Sequence, residues 1–179
     1  YARVNFTSLI EMVDALGGIT VYSPVAFTTL HGGYQIHKGN NEMDGDKALG
    51  FVRERYGLSG GDNDRVKNQQ RVLTGMLKKA MSPAILTNYS SVLSSIEGSF
   101  ETNMSAGEIT DLIKMQLNDM ASWDIYQIQL TGNGQMMTGG AYMPNNRLYY
   151  MIPNENSVNE CASLIKQMMN GEKISVEQS

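Results

Sequence analysis

Cysteine occurs once in the 179 residues, tryptophan once, histidine twice and proline four times. The lone Cys161 excludes an intrachain disulfide, and it lies in a helix-patterned segment that suits a small hydrophobe. His31 and His37 flank Gly32-Gly33 at a spacing that fits no metal-ligand motif, so this segment reads as a surface hairpin. A run of about 18 or more apolar residues is missing, as is a charged-then-apolar leader, so nothing within these residues reads as a spanning helix or an export signal. Nucleotide fingerprints are missing too. Gly57 to Gly61 is followed by no Gly-Lys-Ser/Thr, and no dinucleotide glycine pattern occurs. Ser59, Ser105 and Cys161 lack a neighbouring histidine-acid pattern, which argues against a covalent nucleophile. Repeats and low-complexity tracts are absent as well.

What is present is an ordinary core and an uneven distribution of charge. Hydrophobic residues make up 41% of the chain, enough for one domain with a sizeable core. The formal net charge is -4 and the isoelectric point about 5.2. Against that acidic background, Asp44 to Arg71 gathers Arg53, Arg55, Arg65, Lys67 and Arg71 with the amides Asn68, Gln69 and Gln70. Solubility does not call for such a cluster, because the rest of the chain already carries enough charge to repel its neighbours.

Donor geometry makes the cluster a candidate phosphate site. Each guanidinium presents a planar fork of N–H groups that meets two phosphate oxygens at once. Arg53 and Arg55 are two apart, so in an extended segment both leave the same face. Arg65 and Gln69 are four apart at the start of a predicted helix and stack on one face of it. Asp62, Asn63 and Asp64 are candidate caps for that helix, whose apolar residues are Val66, Leu73, Met76, Leu77 and Ala80. The glycine-rich Gly57 to Gly61 lets the helix start fold back over the arginines, and a helix N-terminus is itself favourable for phosphate. The same residues also read as a solvated helix face, with Arg55 paired to Glu54 or Asp62 at the surface. Asp62 has two readings beyond capping: orienting Arg65, or accepting a proton from an incoming hydroxyl.

Along its length the chain alternates predicted helices and strands, which favours a sheet covered by helices on both faces. Helices are expected from Asn5 to Leu16, from Asp44 towards Phe51, from Asp64 to Met81, from Ser82-Pro83 to Ile96, from Ser105 to Met120 on a Ser105-x-x-Glu108 capping box, and from Ser157 to Asn170. The segment before Arg53 is ambiguous between helix and strand, and a helix that turns extended at the arginines is favoured. Strands are expected at Ile19 to Tyr22, Trp123 to Leu130 and Arg147 to Ile152, the last stopped by Pro153. Residues 1–174 form the predicted domain and 175–179 a loose tail. Most of the methionines sit at core spacing, with Met136, Met137 and Met143 the better candidates for lining a pocket for a polyprenyl tail.

The order Gly39, Met43-Asp44-Gly45, Ala48-Leu49, Phe51-Val52-Arg53-x-Arg55, Asp62, Arg65, Gln69-Gln70 resembles the LytR-CpsA-Psr family of cell-envelope proteins, and most of all its streptococcal capsule-attachment branch. Val4-Asn5-Phe6 and Met12 to Ile19 resemble the segment that precedes the arginine motif in that family. This resemblance implies an α/β fold, a three-layer α-β-α sandwich with a central mixed sheet, here lacking its N-terminal segment. It implies a phosphotransferase that takes a glycopolymer, capsule polysaccharide or teichoic acid, from a polyprenyl pyrophosphate carrier and joins it to peptidoglycan. Carried over by position, Arg53, Arg55, Arg65 and Gln69 hold the pyrophosphate, and Arg65 with Asp62 serves catalysis. The family's Mg2+-binding aspartates and a further arginine would precede Tyr1, as would a membrane anchor on the extracytoplasmic face. Asp64 and Asn68 depart from the family pattern, which commonly has Gly and Arg there.

Two readings from other classes stand beside this one. The basic cluster suits a nucleic-acid-binding regulator, but the low isoelectric point and the absence of a reader motif give little footprint for a phosphate backbone. Tyr142, Tyr149 and Tyr150 offer stacking surfaces for a non-catalytic glycan-binding module.

Overall fold

The computed structural model describes residues 1–58, 62–95, 98, 100–120 and 123–176, with backbone alone at Ala2, Asp62 and Phe100. Its contacts divide the chain into two units, Tyr1–Trp123 and Asp124–Ser179.

The first unit is built on local signals that the sequence carries openly. Strand β1 (Ala2–Val4) leads into helix α1 (Phe6–Ala15), whose N-cap Asn5 accepts the Ser8 amide at 2.8 Å. Gly17 and Gly18, both at positive φ, close α1 and release the chain into β2 (Ile19–Ser23), whose residues alternate buried and exposed. Short strands β3 (Phe27–Thr28) and β4 (Gln35–Ile36) form the hairpin around Gly32-Gly33. Then β5 (Gly39–Met43) returns antiparallel to β2 over the register Ile19↔Met43 to Ser23↔Gly39. Asp44 accepts the Lys47 amide and starts α2 (Gly45–Arg53), so the ambiguous segment before Arg53 is helical.

Helix α3 (Asp62–Ala80) follows and packs on both β2 and α2. It begins at Asp62, which puts the alternative caps Asn63 and Asp64 inside its first turn, where acidic side chains complement the positive helix end. A Cβ at Gly75 would lie 2.9 Å from the Thr20 carbonyl oxygen, so a glycine lets α3 approach β2 this closely. The single helix expected from Pro83 to Ile96 is instead two, α4 (Pro83–Leu86) and α5 (Tyr89–Ser95), with Ile96 outside the described residues. Thr87 is the C-cap at the break, where its hydroxyl joins its own amide in bonding back to the Pro83 carbonyl at 2.9 Å, a contact that bends helices. Strand β6 (Phe100–Thr102) pairs antiparallel with β1, and α6 (Ala106–Asp119) starts on the expected capping box of Ser105 and Glu108.

The core of this unit is α1, α2 and α3 against β2, β4 and β5. Val13, Ile19, Val21, Ile36, Met43, Phe51 and Val72 are almost wholly buried. Phe51 stacks on Phe27 with ring centroids 5.7 Å apart.

The second unit contains β7 (Gly132–Met137), β8 (Leu148–Pro153) and α7 (Glu155–Met169). Residues 123–130, expected as a strand from Ile125, Ile128 and Leu130, have no regular structure, and the strand lies further on, in the stretch that reads as a glycine-rich loop. The glycines are there for packing. A Cβ at Gly134 would lie 2.5 Å from the Tyr149 ring, which covers the backbone from β8, so the aromatic supplies the side chain the glycine lacks. Asn154 caps α7 by accepting the Asn156 amide, and the helix therefore starts two residues before the expected Ser157. Ile174, the last residue of the predicted domain, is buried, and residues 177–179 of the predicted tail lie outside the described set.

The fold is α/β, and its strands pair as four two-stranded antiparallel ladders among the described residues.

Candidate functional site

Helix α2 ends on Arg53, one residue later than an extended arginine pair requires, and its C-cap Glu54 then turns extended at φ -65° and ψ 130°. Arg53 and Arg55 are both exposed, while Glu54 between them is only 3% exposed. The two arginines therefore leave the chain outward while the residue between them turns in. Arg53 lies over the Phe6 ring at 5.1 Å and Arg55 over the Tyr56 ring at 5.9 Å. Each guanidinium thus rests on an aromatic face.

The alternative reading pairs Arg55 at the surface with Glu54 or Asp62, and the Glu54 oxygens accept backbone amides. Oε1 receives the N–H groups of Arg55, Tyr56 and Gly57 at 3.0, 2.9 and 2.8 Å, and Oε2 receives that of Leu30 at 2.7 Å. Burial pushes this carboxyl up, but the four amides outweigh it and hold it below the usual carboxylate range. By linkage, a folded-state value held low stabilises the fold above the ordinary carboxylate range, and that stability is lost as pH falls through the lowered value.

On α3, Arg65 is half-buried and Gln69 one turn on is exposed. Packing of α2 against α3 sets the C-terminal end of one helix and the N-terminal turns of the other as the two carriers of the four donors. Ser59, Gly60 and Gly61 of the connecting loop lie outside the described residues, as does the Asp62 side chain. Asn68, at 1% exposure, accepts a 2.7 Å bond from Arg71, which is half-buried. Burial draws the Arg71 guanidinium down against the opposing pull of Asp64 and Tyr22. Lys67 and Arg71 belong to the same cluster in the sequence, and both are half-buried on α3.

The second half of α3 changes character. Leu73, Met76, Leu77 and Ala80 join Met12 and Leu16 of α1, Ile85 and Leu86 of α4, Tyr89 and Val92 of α5, and Ile109 and Ile113 of α6 around a cavity of about 270 Å³. Every lining residue is apolar apart from the tyrosine. Met12 and Met76 are its methionines, whereas Met136, Met137 and Met143 belong to the other unit. Those three are the methionines expected to line a pocket, but α1 and α3 line this one, because their stripes are apolar along whole turns.

Among the described residues no three His, Cys, Asp or Glu side chains gather to hold a metal ion. The donor set present is cationic and amide in character, so it fits an anion rather than Mg2+. No helix of the described residues is long and apolar enough to cross a membrane.

Comparison with known proteins places this arrangement. The LytR_cpsA_psr family matches residues 1–166. A polyisoprenyl-teichoic acid–peptidoglycan teichoic acid transferase TagU of Bacillus anthracis is 33% identical over 153 residues, covering 86% of this chain and 47% of that protein. Its counterpart from Enterococcus faecalis is 32% identical over 143 residues, covering 79% and 46%. The chain thus spans about half the length of the curated relatives it matches. Among solved structures, gbs0355 of Streptococcus agalactiae superposes with a TM-score of 0.73 at 26% identity over 97% of this chain and 58% of that one. Bacillus subtilis TagV gives 0.75 at 22% over 97% and 65%, which speaks for the fold alone. With the arginine motif, the α/β fold and the match over residues 1–166 in agreement, the chain belongs to the LytR_cpsA_psr family.

Proposed function

We propose that the intact protein is a phosphotransferase that moves a glycopolymer from a polyprenyl pyrophosphate carrier to peptidoglycan at the extracytoplasmic face of the membrane. The observation that carries this reading is the stripe along α3. Arg65, Gln69, Leu73, Met76 and Ala80 recur at helical spacing on one side, polar in the first turns and apolar from Leu73 onward into the cavity wall. A ligand laid along that stripe meets guanidinium and amide donors first and an apolar hollow next. Polyprenyl pyrophosphate has that order of chemistry. The relatives named as polyisoprenyl-teichoic acid–peptidoglycan teichoic acid transferases support the same assignment with teichoic acid as the polymer, and capsule polysaccharide is the other polymer the family resemblance implies.

On this reading an acceptor hydroxyl oxygen attacks the glycan-bearing phosphorus. A new P–O bond forms, the bridging P–O bond breaks, and polyprenyl monophosphate leaves with the bond's electron pair. Arg53, Arg55, Arg65 and Gln69 bind the non-bridging oxygens and neutralise charge as it grows on the leaving phosphate. Asp62 accepts the proton released by the hydroxyl. For the Mg2+ that the family resemblance implies, no cluster of carboxylates gathers among the described residues, and no step here runs through it.

Transfer of lipid-linked glycopolymer to peptidoglycan by the full-length protein tests the reading. Arg65→Ala is expected to lower turnover by about 100-fold or more, the usual cost of removing one preorganised donor. Unchanged turnover would refute the role of Arg65.

A further inference from the structure

We infer that Glu54 is the positioning residue of the arginine pair, fixing the directions of Arg53 and Arg55 by gathering the backbone around them onto one buried carboxylate. The inference rests on the pyrophosphate reading above and adds a residue to it.

Glu54 stands at the point where α2 ends, and the three residues after it have no ladder to order them. Their N–H groups converge on Oε1, so the dihedrals of Arg55, Tyr56 and Gly57 are set by a single atom. Oε2 ties that atom to a fixed reference, the Leu30 amide in the hairpin between β3 and β4. The reference is firm because a Cβ at Gly50 of α2 would lie 2.8 Å from the His31 carbonyl oxygen and 3.1 Å from the Thr29 hydroxyl, so hairpin and helix touch backbone to backbone. Thr29, itself buried, locks the loop by donating to the His31 carbonyl and accepting from the Tyr34 amide. The carboxylate therefore joins three pieces of backbone, the end of α2, the turn that follows and the hairpin, and both arginine Cα atoms lie next to the junction. A donor fork held this way is oriented before ligand arrives, and the ligand is spared the cost of ordering it.

Binding of geranylgeranyl pyrophosphate by the intact protein tests this. Glu54→Gln keeps the shape but turns one acceptor into a donor facing an N–H, and Glu54→Ala removes the junction. Both are expected to weaken binding by about tenfold or more, with Ala the weaker, while the folded fraction retains its helical signal. A purely architectural role would instead lower the melting temperature and leave the affinity of the folded fraction at the wild-type value, which overturns the inference. Wild-type affinity in both variants, alongside lost affinity when Arg53 and Arg55 become alanine, overturns Glu54 and leaves the head-group assignment standing. Wild-type protein that does not bind the probe removes that assignment and the inference together. Amide exchange on the unmodified protein gives an independent readout: Leu30, Arg55, Tyr56 and Gly57 are expected to be protected together, and rapid exchange at all four overturns the inference even where the variants do not fold.

Discussion

Alanine at both Arg53 and Arg55 is expected to weaken binding of geranylgeranyl pyrophosphate to the intact protein by about a thousandfold. Hydrogen bonds to charged groups contribute roughly 1.5–3 kcal/mol each, and two lost forks together remove about 4 kcal/mol, three powers of ten. Stability is not the route to this loss. Both side chains are exposed, and the ring each lies over, Phe6 or Tyr56, is itself largely exposed. Thermal unfolding of the double variant should therefore stay close to that of the wild type. Lysine at both positions keeps the charge but loses the planar fork, and is expected to retain more affinity than alanine yet fall about tenfold short of arginine. Calorimetric titration of the three proteins checks the order, and equal affinity in all three would remove the arginine pair from the site.

The second large effect concerns the apolar end of the stripe. Leu77→Asp places a carboxylate in the wall of the α3 cavity, at a position 43% exposed and so tolerated by the fold. A charge there is costly to desolvate, and lipid atoms that would fill the space lose about 0.8 kcal/mol for each methylene kept out. Even four such groups amount to about 3 kcal/mol, so the variant is expected to bind geranylgeranyl pyrophosphate about a hundredfold more weakly. Inorganic pyrophosphate, which has no tail, should bind the variant and the wild type alike. A parallel loss for both probes would show that the substitution disturbs the head-group donors rather than the hollow.

These two ends of one helix were unequally legible in the sequence. Arg53, Arg55, Arg65 and Gln69 stand out in the sequence because cations and amides crowd into one stretch of an acidic chain, and Arg53 ends the helix that Asp44 caps while Arg65 and Gln69 fall in the first turns of α3. The cavity was hidden, since Leu73, Met76 and Ala80 look like any core stripe until α4, α5 and α6 are seen to stand off from it. Long-range packing of that kind leaves no local mark. Glu54 is hidden for a related reason: a carboxylate between two arginines offers an ion pair as one reading, and only the turn of the backbone reveals the four amides it accepts. In the second unit the periodicity of Ile125, Ile128 and Leu130 outweighed the glycines at positions 132 and 134, yet it is the glycine strand that pairs, because Tyr149 lends it a side chain.

One further feature bears on how this protein can be studied. Trp123, the sole tryptophan, donates its indole N–H to Gln116 of α6, the helix that also supplies Ile109 and Ile113 to the cavity wall. The chain thus carries a single indole, excitable apart from its nine tyrosines and fastened to one wall of its hollow, so displacement of α6 by an incoming chain is open to optical detection without any attached label.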